Sequence, residues 1–145
     1  MTIHDFDMVR FYLGNDEIKE IFATASNISS KKFNDIKDYE LATCVLKSTT
    51  GVICTINNSR HYKYGYDQRI EVFGSKGCLI SENKMKYNFF IDRYKRAYKL
   101  QLQDLVNLAN KNKKPRASFA DGEKALLLAN AAYKSLLTKK VIKIG

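Results

Sequence analysis

The sequence predicts an α+β domain with an open, mostly antiparallel β-sheet and helices packed on one face. Three observations predict it: a short helix comes first, several strand-like segments follow one another, and two long helical segments end the chain. Consecutive strands joined by tight turns form antiparallel sheets, and helices grouped at the ends of such a run pack on one side. The 145 residues, 45% of them apolar, suit one domain over residues 1–145.

The first element is a short helix. Phe6, Val9 and Leu13 recur at helical spacing within Asp5–Leu13. Gly14 follows, and glycine readily adopts the left-handed conformation that ends many helices. We therefore expect an amphipathic helix that buries these three apolar side chains.

Strand-like segments occupy the middle of the chain. Thr49–Gly51 and Gly74–Gly77 have turn composition and predict two hairpins, whereas the polar stretch Asn27–Asp38 predicts an exposed connection. The expected extended segments are Ile18–Ser26, Glu40–Ser48, Gly51–Ser59, Gln68–Phe73, Cys78–Ser81 and Lys84–Ile91. An open sheet of this kind leaves one face to be covered, and a second subunit is a natural cover.

Two helices are expected after the strands. The pattern predicts them over Asp92–Asn110 and Gly122–Thr138, joined by a charged loop that contains the only proline. Asp121 is the expected N-cap of the second helix. The stretch Ala125–Ala132 is almost entirely apolar, so this helix should lie against the sheet as the main helical part of the core.

Several classes of protein are disfavoured by simple counts. The first residues lack the basic start and apolar run of a secretory signal, and no window approaches the about 18 apolar residues of a membrane span. A cytoplasmic location with no membrane partner is therefore expected. Three cysteines, Cys44, Cys54 and Cys78, are expected to be buried thiols, and two histidines leave a metal site without ligands.

The net charge of +10 raises the alternative of a basic nucleic-acid-binding domain. The basic residues are scattered, however, and no helix-turn-helix or ribonucleoprotein motif accompanies them. Solvated surface charge is the better interpretation, and nucleic acid is not an expected partner. The groups are Lys111, Lys113, Lys114 and Arg116 in one loop, Lys139, Lys140 and Lys143 at the C-terminus, and Lys95, Arg96 and Lys99 on a helix.

A dinucleotide site within the chain is not predicted. Such sites use a glycine-rich turn between a strand and a helix. The close pair Gly74 and Gly77 instead separates two strands. No bound cofactor is therefore expected for the chain alone.

Three alternating tyrosines, Tyr62, Tyr64 and Tyr66, precede the strand that begins at Gln68. On an extended segment alternate side chains project to the same side. Such a row is either half-buried sheet or a wall of rings and hydroxyls for a polyhydroxylated ligand, because rings pack on C–H faces while phenols hydrogen-bond hydroxyls.

His4 stands at the start of the first helix. A lone histidine is more often structural than catalytic, and a general base usually needs an orienting carboxylate. Asp5 and Asp7 are neighbours in sequence, but neither lies one helical turn away from His4.

At these places the chain resembles the Gfo/Idh/MocA family of oxidoreductases, and within it the inositol dehydrogenases. The most specific part is the Tyr64–Arg69 run with the strand that follows it. The matching stretches are Thr2–Phe11, Asn58–Arg60, Tyr64–Gly77, and Asp121–Gly122 with Lys124–Ala129.

The resemblance implies a C-terminal substrate-binding and oligomerisation domain, without the Rossmann domain that binds NAD or NADP in the family. It implies that His4 is the catalytic histidine that takes the hydroxyl proton of a cyclic polyol or sugar, and that Tyr64 and Tyr66 bind this substrate. The family's aspartate partner of the histidine would precede Met1, and its catalytic lysine belongs to the Rossmann domain. We therefore expect the chain alone to be inactive.

Two alternatives stay open beside a truncated dehydrogenase that converts a polyol hydroxyl to a ketone in its intact form. One is a non-catalytic sugar-binding or oligomerisation module that pairs its sheet face with a second copy. The other, less favoured, is the basic nucleic-acid-binding domain.

Overall fold

The computed structural model describes residues 2–29, 32–36, 38–111 and 114–145. The chain divides into two compact units. The sheet unit comprises Met1–Arg60 and Ala117–Gly145, and the hairpin unit comprises His61–Arg116. The single domain over residues 1–145 stays a prediction.

Apart from the segment 84–91, the described residues form the predicted helices and strands in order. A four-residue helix within the stretch Asn27–Asp38 and a two-residue strand near the C-terminus were not predicted. The helices are α1 (Ile3–Leu13), α2 (Lys32–Asp35), α3 (Phe90–Lys111) and α4 (Phe119–Thr138). The strands are β1 (Ile18–Ser26), β2 (Leu41–Ser48), β3 (Ile53–Ser59), β4 (Ile70–Gly74), β5 (Gly77–Ser81) and β6 (Ile142–Lys143). No described helix is long and apolar enough to cross a membrane.

All strand pairs of the described residues are antiparallel. Those of the sheet unit form an open sheet in the order β3-β2-β1-β6, and β4 and β5 form a separate hairpin. The predicted α+β class with an open antiparallel sheet is confirmed. The sequence did not predict that the second hairpin would form its own sheet.

Two local predictions are wrong. The segment 84–91 is not a strand, since its pairing within the described residues is a single bridge between Tyr66 and Tyr87, and α3 already begins at Phe90. Asp121 is not the N-cap of α4. Ser118 takes that position, and Asp121 completes a reciprocal capping box from the third helical residue.

The core of the sheet unit lies between the sheet and the helices α1 and α4. Phe6 of α1, Ile21 of β1 and Leu46 of β2 are almost fully buried there. Helix α4 reaches this core with Leu128 and Ala132. The prediction that α4 lies against the sheet is confirmed.

The cysteines differ from the expectation that all three are buried. Cys44 is buried, Cys54 is half-buried, and Cys78 on β5 is exposed. Burial, with a further contribution from the negative charge of Asp5, raises the pKa of the Cys44 thiol to about 11. Cys44 therefore behaves as a small apolar side chain of the core.

Ser135 of α4 takes over part of the hydrogen bonding of β1. Strand β6 pairs with β1 only at Glu20 and Ile21. Beyond that pairing, the backbone N–H of Ala23 donates to Ser135 Oγ at 3.0 Å, and the Ser135 hydroxyl donates to the Lys140 carbonyl at 2.6 Å. Because Ser135 and its bond to Ala23 are buried, no water takes the place of the hydroxyl as the partner of the Ala23 N–H.

Helices α1 and α4 are joined through one carboxylate. Arg10 of α1 donates to Oδ1 and to the backbone carbonyl of Asp121, each at 3.0 Å. Oδ2 of the same carboxylate accepts bonds from the Ser118 N–H and hydroxyl. The bonds from Ser118, followed by those from Arg10, hold the pKa of Asp121 well below its usual range.

Replacing Ser135 by alanine should destabilise the sheet unit. The buried N–H of Ala23 loses its partner, and an unsatisfied buried group costs about 1–3 kcal/mol. The carbonyl of the exposed residue Lys140 also loses a donor. The free energy of unfolding in urea measures the loss. Thr138→Ala is the matched control, because its exposed hydroxyl bonds only the carbonyl of Lys134 in the same helix. Equal unfolding free energies for the two variants would contradict this role of Ser135.

The Asp121 junction should also make stability depend on pH at the acid end. The pKa of Asp121 is lowered in the folded chain, so its contribution is fully present above the unfolded pKa of about 3.9. It is lost as the pH falls below that value toward the folded pKa. Thermal midpoints of the wild type and Asp121→Asn between about pH 5 and pH 2 should therefore converge on acidification. A constant difference across this range would show that the charge of Asp121 is unimportant.

Candidate functional site

His4 lies in the first turn of α1, in the sheet unit, and its side chain is exposed. The two carboxylates beside it in sequence are engaged elsewhere. Asp5 Oδ2 accepts a bond from Asn58 Nδ2 of β3 at 3.0 Å, and Asp7 pairs with Arg10 at 3.1 Å. His4 thus offers an imidazole to the surface on a helix whose first turn is tied to the sheet.

Asn58 is a residue of this region that sequence reasoning did not single out for a role. Its Nδ2 anchors α1 through Asp5. Among the residues that the structure describes, its Oδ1 is the one buried side-chain polar atom without a hydrogen-bond partner. The only signal for it was its place in the matching stretch Asn58–Arg60.

The tyrosine segment lies in the hairpin unit and is folded into a corner. Residues 63 and 64 form a turn, and Gly65 has φ +98°. The expectation that alternate tyrosines project to one side of an extended segment is therefore wrong. The rings of Tyr62 and Tyr64 instead meet edge to face with centroids 5.8 Å apart, and the ring of Tyr66 packs on that of Tyr94 at 5.8 Å.

Only glycine fits at position 65. A side chain there would place its Cβ 2.2 Å from the backbone oxygen of Tyr87, in addition to the cost of a positive φ. The close approach lets the N–H of Tyr66 donate to the same oxygen at 2.6 Å. The backbone of the corner is thereby pressed against the segment that precedes α3.

A cavity of about 310 Å³ opens beside this corner. This volume is near the lower end of the range for small-molecule sites, so the ligand it suits is small. Tyr64 and Tyr66 both line it, and their role in binding a substrate stays a prediction. The complete lining is Tyr62, Tyr64, Tyr66, Asp67, Arg69, Glu82, Asn83, Met85 and Lys86.

The cavity wall combines aromatic rings with donors and acceptors. Arg69 Nε donates to Asp67 Oδ2 at 2.8 Å, and the same guanidinium reaches the Tyr62 hydroxyl at 3.2 Å. Glu82 and Lys86 add an exposed carboxylate and an exposed ammonium group. Such a wall can hydrogen-bond several hydroxyls of one ligand while a ring contacts its C–H face.

The structure brings Tyr64 and Tyr66 together, whereas His4 belongs to the other unit. Sequence reasoning missed the lining residues from Glu82 to Lys86, because it assigned most of that stretch to a strand. Asp67 and Arg69 were detectable, since both stand within the specific Tyr64–Arg69 run.

The basic residues behave as surface charge. Lys114 and Arg116 are exposed, and Arg116 pairs with Asp104 at 2.9 Å. Lys113 and the side chain of Lys111 lie outside the described residues. The described basic residues of the other groups are exposed as well, namely Lys95, Arg96, Lys99, Lys139, Lys140 and Lys143. Within the described part of the chain, no three potential metal ligands come together.

Comparison with known proteins identifies the family. Residues 1–80 match the model of the GFO/IDH/MocA C-terminal domain. The chain belongs to the GFO/IDH/MocA family. The match covers both the helix that bears His4 and the tyrosine corner, and it confirms the resemblance seen in the sequence.

Several relatives of this family member are named inositol dehydrogenases. The chain is 38% identical over 160 residues to myo-inositol 2-dehydrogenase from Thermotoga maritima, covering 99% of this chain and 48% of the relative. It is 36% identical to the crystal structure of a myo-inositol dehydrogenase from Corynebacterium glutamicum, with a TM-score of 0.93 over 100% of this chain and 48% of that one. The chain therefore spans about half the length of the relatives it matches and corresponds to their C-terminal domain.

A more distant structure shares the fold. It is scyllo-inositol dehydrogenase from Lactobacillus casei with bound NAD(H) and scyllo-inositol, at 20% identity and a TM-score of 0.88, covering 99% of this chain and 46% of that one.

Replacing Gly65 by alanine should open the tyrosine corner. The new Cβ cannot coexist with the Tyr87 oxygen, so the hydrogen bond between Tyr66 and Tyr87 must lengthen or break. The amide proton of Tyr66 should then exchange with solvent faster, as measured by NMR. Gly74→Ala is the control in the same unit, because its Cβ would meet Gly77 at an ordinary 3.5 Å. Unchanged protection of Tyr66 in Gly65→Ala would refute the close approach.

Proposed function

We propose that this chain is the polyol-binding domain of an NAD-dependent dehydrogenase that oxidises a hydroxyl of a cyclic polyol, of the inositol type, to a ketone. The observation that carries the proposal is the cavity lined by Tyr64 and Tyr66, the residues that the family resemblance assigns to the substrate. Membership of the family and the names of the relatives support the same substrate class.

The proposed substrate suits the chemistry of the cavity. A cyclic polyol carries hydroxyls around its rim and C–H groups on its faces. Tyr64 and Tyr66 supply rings for the faces, and the charged side chains around them supply partners for the hydroxyls. A cavity of about 310 Å³ is of the size for a single sugar-like ring.

His4 is the proposed general base. An imidazole that accepts a hydroxyl proton lowers the barrier to hydride loss from the same carbon, because no high-energy protonated ketone is formed. The exposed side chain of His4 is accessible to a substrate. The tie between Asp5 and Asn58 holds its helical turn in place.

NAD or NADP would supply the hydride acceptor of the intact enzyme. The chain's own residues do not fit a dinucleotide site. All seven glycines lie among the described residues, and none forms the turn between a strand and a following helix that cradles a pyrophosphate. We assign the cofactor to a different part of the intact enzyme, and no cofactor to this chain alone.

A second copy of the chain is the proposed partner of the outer sheet face. Phe22 of β1 and Val45 of β2 are cross-strand neighbours on that face, and both are exposed. Ile53 of β3 is more exposed still. Apolar side chains on an open sheet are commonly covered by another subunit. The homo-oligomer and the cytoplasmic location both stay predictions.

A non-catalytic sugar-binding module is the second candidate. One observation favours it: every residue that lines the cavity belongs to the hairpin unit. Binding of a polyol there does not in itself require His4.

The proposal is tested by joining the chain to the remaining half of the Thermotoga maritima relative and measuring reduction of NAD by myo-inositol. Tyr64→Ala should raise KM about tenfold, equivalent to about 1.4 kcal/mol of binding. His4→Ala should lower kcat by a factor of about 10² to 10⁴, the contribution of a general base, with little change in KM. Tyr98→Ala, an exposed tyrosine of the same unit outside the cavity lining, is the control for Tyr64.

Each part of the proposal can fail separately. An active His4→Ala chimera would contradict the assignment of His4 as the general base. A fall in the thermal midpoint of that variant would favour a structural role for His4. An inactive chimera together with binding of myo-inositol by the chain would favour the sugar-binding module. Binding of NAD(H) by the chain alone at micromolar affinity would overturn the assignment of the cofactor to another part of the enzyme.

A further inference from the structure

We propose that Arg93 is a positioning residue of the polyol site, and that it acts through Asn83 on the backbone of Tyr66. The inference rests on the proposed function for the identity of the ligand. The relay of hydrogen bonds itself lies wholly within the hairpin unit. Arg93 does not line the cavity, whereas Asn83 and Tyr66 do.

The relay has two links of equal length. Arg93 Nε donates to Asn83 Oδ1 at 2.8 Å, and Asn83 Nδ2 donates to the backbone carbonyl of Tyr66 at 2.8 Å. A guanidinium has no acceptor and a carbonyl has no donor. The two partners therefore permit only one orientation of the Asn83 amide group. A positive charge on the oxygen side also polarises that amide and strengthens the bond of its N–H to Tyr66.

Aromatic rings hold Arg93 in place. Its guanidinium lies 5.6 Å from the ring centroid of Tyr87 and 5.3 Å from that of Tyr94. Cation–π contacts at this distance restrict a side chain that would otherwise move freely. Because Arg93 stands in the first turns of α3, the helix carries the start of the relay.

The tyrosine corner needs such an external constraint because it turns on a glycine, the residue with the greatest backbone freedom. Tyr66 is held on both sides of its backbone, since its N–H donates to the Tyr87 oxygen and its carbonyl accepts from Asn83. Its hydroxyl also donates to that of Tyr94 at 3.3 Å. Tyr64 stands on the other side of Gly65, so the position of its backbone depends on that of Tyr66.

These contacts assign different parts to the two tyrosines. Tyr66 is half-buried and anchored, whereas 59% of the Tyr64 surface is exposed. Tyr64 is then the side chain that adapts to the polyol. The anchored backbone of Tyr66 holds the neighbouring backbone of Tyr64 in place. Loss of Arg93 therefore weakens the constraint on the Tyr66 backbone without removing any group that touches the ligand.

The test compares Arg93→Met, Arg93→Lys and Asn83→Asp in the complete chain by two readouts. The first is the NMR shift and hydrogen exchange of the Tyr66 amide, which needs no ligand. The second is the Kd for myo-inositol. Arg93→Met keeps the apolar stem and removes the donor, and Asn83→Asp keeps the acceptor for Arg93 but cannot donate to Tyr66. Arg96→Met, at an exposed position of the same helix, is the matched control.

We expect Arg93→Met and Asn83→Asp to shift the Tyr66 amide resonance and to raise the Kd about tenfold to a hundredfold, the range for loss of a hydrogen bond to a charged group. Arg93→Lys keeps the charge and one route to Asn83, so it should recover part of both effects. The double variant should be no weaker than the worse single variant, because both changes break one relay.

An unchanged Tyr66 amide in Arg93→Met, or an unchanged Kd beside a shifted amide, would overturn the positioning role. Should Arg93→Met fail to fold, Arg93→Lys carries the same two comparisons, because it also changes no residue that lines the cavity. A wild-type chain that does not bind myo-inositol would overturn the proposed function instead, and the relay would then be judged on the Tyr66 amide alone.

Discussion

Within the sheet unit, the junction of α1 and α4 depends on one carboxylate, that of Asp121. One of its oxygens completes the cap of α4, and the other accepts from Arg10 of α1. These bonds set the two helices against each other over the same face of the sheet. Because the Asn58–Asp5 bond ties the opposite end of α1 to β3, the helix that bears His4 is fixed at both ends. A surface histidine thereby acquires a defined place without any contact of its own in the core.

The hairpin unit also holds its candidate site residues in defined positions, but through different contacts. Its hairpin and helix are largely exposed, so apolar packing contributes little to the shape of the cavity. Order comes instead from backbone contact between Gly65 and Tyr87 and from the aromatic groups around Tyr66 and Tyr94. A site built from hydrogen bonds and ring contacts keeps polar groups at its wall, which is what a hydroxyl-rich ligand requires.

The sequence predicted most of the sheet unit because alternation and turn composition are local signals. Strand β1 begins and ends where the alternation of Ile18–Ser26 placed it, and the turn after Ser48 joins β2 to β3 as expected. Asp121 was wrongly predicted as the N-cap because Ser118 and Asp121 both have side chains suited to capping. A capping box uses both of them, three residues apart.

The site was less predictable because its contacts are long-range. A row of alternate tyrosines indicates a common side only on extended backbone, and the positive φ of Gly65 removes that condition. The aromatic stretch before α3 has strand composition, yet Tyr87 serves as a backbone partner of Tyr66 and Phe90 begins the helix. Nothing in a local pattern connects Arg93 to Asn83 or Asn83 to Tyr66. These three residues meet only because the chain folds back on the corner.

The sheet unit is discontinuous in sequence: the chain leaves it at Arg60 and returns at Ala117. Its core includes Leu128 and Ala132 of α4. The N–H of Ala23 in β1 has its hydrogen-bond partner in Ser135, 112 residues further along the chain. During synthesis from the N-terminus, the first three strands therefore leave the ribosome before the helix that buries their inner face. The contiguous hairpin unit is complete before that helix exists. The sheet unit thus starts first in the sequence, but the hairpin unit is the first that can fold completely.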